Sequence, residues 1–146
     1  MSKIDTSKFQ IITKIPKPDS KKDYVKRIIN QIIISKNNFK VNKFHSILLH
    51  DCSNIKKNEI DQVHRLFKYL KKKKFTKYIG LSIYNPKEFY KISKYFKPDI
   101  LQVPINIFDR TFLDKKFLQI IKVKRIKLHV RSIFLQGIIL SSNEFF

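Results

Sequence analysis

FHSILLHDCSNIKKNEIDQVHRLFKYLKKKKFTKYIGLS, residues 44–82, is the stretch on which the fold turns. It opens on one apolar run of strand length, Phe44–Leu49 (FHSILL), and closes on another, Tyr78–Ser82 (YIGLS). Between them, Lys57 to Lys74 carries Ile60, Val63, Leu66, Phe67 and Leu70 at helical spacing, after the cap candidates Ser53 and Asn54. The Lys71–Lys74 run reads as a solvated helix end, where the helix dipole favours cations. A connection of this length is no hairpin. It predicts a strand, a crossover helix and a second, parallel strand.

The same alternation extends in both directions. Phe9–Thr13 (FQIIT), Ile100–Val103 (ILQV) and Ile126–Ser132 (IKLHVRS) are further strand-sized runs rich in β-branched or aromatic residues. Ser20 to Ser35 spaces Tyr24, Ile28, Ile32 and Ile33 for a helix, with Asp19 or Ser20 placed to cap it. Asn85–Pro86 is a cap followed by a first-turn proline. Phe89, Ile92 and Phe96 come next, before Pro98 stops the helix. Tyr84, Tyr90 and Tyr95 are expected to join Phe89 and Phe96 in packing it on the sheet. A fourth helix runs from about Phe112 to Val123.

The order β-α-β-α-β-α-β-α-β, with strands too uniformly apolar for a one-sided sheet, predicts five parallel strands with right-handed crossovers. Gly80 and Gly137 are the only glycines, which excludes the Gly-x-Gly-x-x-Gly turn and the P-loop. Two α/β architectures remain: a flavodoxin-like open sheet, or part of a (β/α)8 TIM barrel. With 146 residues the chain is one domain, residues 1–146. A complete barrel takes about 250.

Lys and Arg number 32 against 11 Asp and Glu, a formal charge of +21 that would ordinarily point to nucleic acid. The lysines, however, run through nearly every segment, and Ile, Lys, Asn and Phe are used heavily while Gly, Ala and Trp are scarce or absent. An A+T-rich coding sequence produces that bias without selection for a basic surface. No specific nucleic-acid partner is therefore expected. The alternative, a basic α/β module binding nucleic acid or another polyanion, requires lysines clustered on one face with exposed aromatics between them.

Cys52 is the only cysteine, so no intrachain disulfide can form, and His45, His64 and His129 share no metal-ligand spacing. No metal is expected. The chain lacks a run of about 18 apolar residues and has no signal-like run after Met1, which predicts a soluble, cytoplasmic protein with no membrane contact.

In parallel α/β folds the chemistry gathers at the carboxyl ends of the strands. Those ends read Lys14, His50, Ser82 and Gln102, with Ser132 or Phe134 at the fifth. Taken singly, Lys14 is a solvent-facing lysine, His50 a structural histidine, and Ser82 and Gln102 satisfied polar groups. Together they bring an ammonium, an imidazole, a hydroxyl and an amide to one face.

IITKI (11–15), ILLHD (47–51), YIGLSIYNP (78–86), LQVPINIFDR (101–110) and VRSIFLQGIIL (130–140), in this order and spacing, resemble successive blocks of the aldo-keto reductase family. The resemblance implies an NAD(P)H-dependent oxidoreductase on a (β/α)8 barrel, without a metal, reducing a small-molecule carbonyl to an alcohol. By the same resemblance Lys14 and His50 correspond to the lysine and histidine of the family's Asp, Tyr, Lys, His tetrad. Ser82 and Gln102 correspond to residues that hold the nicotinamide carboxamide of NADPH or NADH.

The match departs from the family in two places within the blocks. Ile83 stands where an asparagine is common, and Ser132 where an aromatic stacks on the nicotinamide, with Phe134 close enough to substitute. The tetrad aspartate and tyrosine are expected upstream of residue 1, since Asp5 precedes the first strand and Tyr24 lies inside a helix. The cofactor-binding eighth strand is expected beyond Phe146. The resemblance thus implies an incomplete domain, strands three to seven of eight, inactive as the isolated chain.

Overall fold

Strand order separates the two remaining architectures. In the computed structural model, which describes residues 8–19 and 23–140, the elements are β1 (Ile12–Ile15), α1 (Tyr24–Phe39), β2 (Phe44–Leu49), α2 (Lys57–Lys72), β3 (Thr76–Ser82), α3 (Pro86–Ile92), β4 (Ile100–Pro104), α4 (Lys115–Val123) and β5 (Lys127–Arg131). The strands pair in chain order, β1-β2-β3-β4-β5, and every pair is parallel. A flavodoxin-like sheet would place its first strand between the second and third. Sequential order is that of a barrel sector, and the chain folds as a partial (β/α)8 barrel. Among the described residues the sheet is not closed, and β1 and β5 are its edges.

Register assigns the two faces. Ile15, Leu49, Leu81, Leu101 and Leu128 are in line across the sheet and pack against the helices. There they meet Ile28 and Ile32 of α1, Ile60, Val63, Leu66, Phe67 and Leu70 of α2, and Phe89, Phe117 and Ile121 of α3 and α4. Each such side chain contributes about 1.5–3 kcal/mol when fully buried. The neighbouring row, Lys14, Leu48, Gly80, Ile100 and Lys127, points to the opposite, helix-free face. That face is curled. His45 of β2 and His129 of β5 stand 6.5 Å apart between ring centroids although β3 and β4 run between their strands.

Several boundaries differ from those the pattern predicts. The first strand is Ile12–Ile15 rather than Phe9–Thr13, because pairing begins at Ile12 with Ser46, while Phe9 stands exposed ahead of it. The first helix begins at Tyr24 and reaches Phe39, and Ile33 is exposed beside the buried Ile28 and Ile32. The residue at the cap position is Asp23, and the Asp19 carboxylate accepts a hydrogen bond from Arg27 at 2.6 Å. Ser20 lies outside the described residues. Helix α2 starts at Lys57, where the Glu59 carboxylate accepts from the Lys56 backbone N–H at 2.7 Å, so neither Ser53 nor Asn54 is its cap. Asn85 does cap α3, accepting from Lys87 N–H at 2.9 Å. That helix ends at Ile92, well before Pro98.

Candidate functional site

The four residues predicted from the strand ends fall on the helix-free face. Ser82 is the last residue of β3, in register with Gln102 of β4, whose own partner on β5 is His129. His50 directly follows β2, its backbone N–H bonded to the Ile15 carbonyl at 2.9 Å. It stands two residues beyond Leu48, as Ser82 stands two beyond Gly80, and so belongs to the same row. Lys14 lies one row nearer the amino ends, level with Leu48 and Gly80. Because β1 runs on to Ile15, Lys14 lies inside the strand rather than past its end.

Ser82 is buried, and its hydroxyl donates to the Gln102 side-chain carbonyl at 3.5 Å. The pair offers a hydroxyl, an amide carbonyl and an amide N–H side by side, a donor and acceptor set that suits a carboxamide. Ile83 is fully buried in the core on the helix side, so it contributes nothing to this face. Lys14 is exposed at the sheet edge and lines a cleft of about 290 Å³ with Gln31 and Ile34 of α1. Desolvation, and secondarily the charge of Arg131, hold its ammonium below the usual lysine pKa. Ser132 follows β5 in the left-handed region at φ 61°, and Phe134 is exposed two residues further on.

Two residues at this end escape the apolar-run reading. Arg131 ends β5, in register with Pro104, and its guanidinium carbon lies 4.2 Å from the centroid of the Tyr84 ring. Tyr84 is therefore no helix-packing residue; it is exposed, as Tyr90 and Tyr95 are, while Phe89 and Phe96 are buried as expected. The signal was present in KLHVR: Lys127, His129 and Arg131 alternate with Leu128 and Val130, so one face of β5 is cationic.

Toward the amino ends the same face is closed by side chains. The Tyr78 hydroxyl accepts from Lys127 Nζ at 3.1 Å, and the His45 ring meets the edge of Tyr78 at 5.1 Å. Cys52 is buried, and burial pushes its thiol up, away from thiolate chemistry. No group of three or more His, Cys, Asp or Glu able to hold a metal occurs among the described residues. No helix among them is long and apolar enough to cross a membrane.

A curled all-parallel sheet in barrel order, with polar residues at its carboxyl ends, defines a sector of a (β/α)8 barrel. The chain belongs to the Aldo/keto reductase family, whose model matches residues 2–145. No curated protein matches it significantly. Among solved structures it resembles the apo form of an aldo-keto reductase from Bacillus halodurans, with a TM-score of 0.73 at 17% identity over 91% of this chain and 43% of that one. A glycerol dehydrogenase from Gluconobacter oxydans gives 0.68 at 17% identity, over 88% and 41% of the two chains. An aldose reductase from Giardia lamblia gives 0.66 at 17%, over 88% and 47%. These likenesses are of fold, and the chain spans less than half the length of each.

Proposed function

We propose that this chain is the central sector of an NAD(P)H-dependent reductase that converts the carbonyl of an aldehyde, ketone or sugar-derived compound to an alcohol in the cytoplasm. The row of His50, Ser82 and Gln102 on the helix-free face, with Lys14 one row below, supports this reading best. A bound nicotinamide would supply the hydride. Ser82 and Gln102 would hold its carboxamide, and the exposed Phe134 ring, beside Ser132, would flank it.

His50 hydrogen-bonds the substrate's carbonyl oxygen, orienting and polarising it. Lys14 acts through a tyrosine proton donor: an ammonium beside a phenol favours the phenolate and brings a group of pKa about 10 into a usable range. That tyrosine comes from outside this chain. Tyr24 is buried, donating to the Pro16 carbonyl at 2.7 Å, and Tyr78 is tied to Lys127 at the amino end of the face. A polyanion-binding role has less support, because exposed lysines occur on all four helices, Lys26, Lys68, Lys91 and Lys122 among them.

The test joins the chain to flanking strands that complete a barrel and supply the aspartate and tyrosine, then follows NADPH and NADH oxidation with a panel of aldehydes and ketones. Turnover is expected, falling about 10²–10⁴-fold in His50→Ala and Lys14→Met. Turnover in both variants undiminished from the parent would refute the assigned roles.

A further inference from the structure

Arg131 presents an incomplete set of hydrogen bonds. Its Nη1 donates to the Ser132 hydroxyl at 3.4 Å, while Nε and Nη2 are buried and have no hydrogen-bond partner. These two nitrogens form one edge of the guanidinium, whose parallel N–H groups match the paired oxygens of a carboxylate or phosphate. Charged donors left buried without acceptors are costly. The Tyr84 ring centroid lies 4.2 Å from the guanidinium carbon, a cation–π contact.

Arg131 forms no ion pair among the described residues. The acid of the adjoining turn, Glu88, is engaged by the Tyr84 backbone N–H at 3.0 Å, and Asp51 by the Ser53 N–H at 2.8 Å and Lys17 at 3.4 Å. Lys14, on the opposite edge strand, brings a second cation to the same helix-free face, and the curl of the sheet carries β5 back toward β1 and β2.

We propose that Arg131 is a substrate-recognition residue whose Nε–Nη2 edge receives the oxygens of an anionic ligand, a carboxylate or a phosphate, with Lys14 as the second cation. This rests on the reductase reading and narrows it to carbonyl compounds carrying an acidic group. Because that edge is screened from solvent, entry requires a rotation of the side chain, which its half-exposed place at the strand end permits.

The test uses the full 146-residue chain and needs no turnover, so its failure would leave the reductase reading standing. The Arg131 Nε–H resonance is followed by nuclear magnetic resonance, and affinity by calorimetry, during titration with pyruvate, with pyrophosphate and with neutral acetone at constant ionic strength. Expected is a saturable shift with one or both anions and none with acetone. Arg131→Gln should lower affinity about tenfold or more, as loss of a charge-assisted pair implies, and Arg131→Lys should fall between. Lys124→Gln, an exposed lysine after α4, should leave it unchanged. A response to pyruvate alone assigns the site to a substrate carboxylate; a response to pyrophosphate alone assigns it to a phosphate. An Arg131 resonance unmoved by both anions, or an Arg131→Gln chain that binds as tightly as the parent, overturns the proposal. Should Arg131→Gln fail to fold, the resonance and Arg131→Lys decide.

Discussion

Gly80 packs its bare α-carbon beneath the Leu48 side chain of the neighbouring strand, on the helix-free face of the sheet. A Cβ there would overlap the Leu48 δ-methyl and crowd the Ile100 carbonyl oxygen on the other side. Gly80→Ala should therefore destabilise the fold by about 1–3 kcal/mol, the usual cost of overpacking. Read by urea denaturation, the loss should shrink in a Leu48→Ala background without vanishing, because the Ile100 backbone remains. An additive pair would show that Leu48 does not set the limit.

Asp99 joins three strands at their amino ends. Its carboxylate accepts from Ile79 N–H at 3.0 Å and from Lys71 Nζ at 3.0 Å. Its backbone N–H donates to the Ile79 carbonyl, and its carbonyl accepts from Lys127 N–H, both at 2.9 Å. The strand amide is part-buried and the lysine exposed, so the two partners are unequal. Asp99→Ala is expected to cost about 1–3 kcal/mol through the orphaned Ile79 amide, and Lys71→Ala at most about 1 kcal/mol. Equal losses in thermal or urea unfolding would contradict this ranking.

Stability should fall on mild acidification. His45 is held below the usual histidine value by desolvation first, then by His129, Lys127 and Lys77. His64, stacked on Phe96 at 5.0 Å, is lowered by desolvation and Lys68 against a smaller opposing pull from Asp61. A folded pKa below the unfolded one means that the unfolded chain binds more protons in this range. The contribution is complete above the unfolded value and is lost as pH falls through the lowered folded values. Melting temperatures at pH 8 and pH 5 should differ in that direction, and His45→Gln with His64→Gln should flatten the profile. A profile as steep in the double variant would place the effect elsewhere.

Legibility followed burial. Phe44–Leu49 and the Ile60 to Leu70 stripe of α2 were plain in sequence because their apolar spacing is also their packing against the core. The first strand was displaced because Phe9 to Ile11 are as apolar as the residues that pair, and only β2 decides where the ladder begins. Lys14, His50, Ser82 and Gln102 could be named because they end or follow apolar runs. The KLHVR alternation marks Arg131 as part of a cationic strand face, but its pairing with Tyr84 was not legible: it is a contact between β5 and the loop after β3, 47 positions apart by the numbers 131 and 84, and no local pattern encodes it.

The isolated chain should not oxidise NADPH in the presence of carbonyl compounds, although it carries Lys14 and His50. Hydride addition to a carbonyl leaves an alkoxide that must be protonated, and proton donation of this kind is typically worth about 10²–10⁴-fold. Tyr78 is the tyrosine on the helix-free face within the strands, but it lies in the row of Ile12 and Ser46, two rows below that of Ser82 and Gln102. Its hydroxyl already accepts from Lys127, and that hydrogen bond is the first cause of a lowered pKa. The edges β1 and β5 also carry unpaired backbone groups among the described residues, and such edges recruit other strands. Self-association that disappears when the flanking strands are supplied is therefore expected, together with the appearance of turnover. NADPH absorbance and light scattering, recorded on the chain alone and on the completed barrel, check both. Robust turnover by the chain alone, abolished by His50→Ala and retained in Tyr78→Phe, would mean that a proton donor other than these operates on this face.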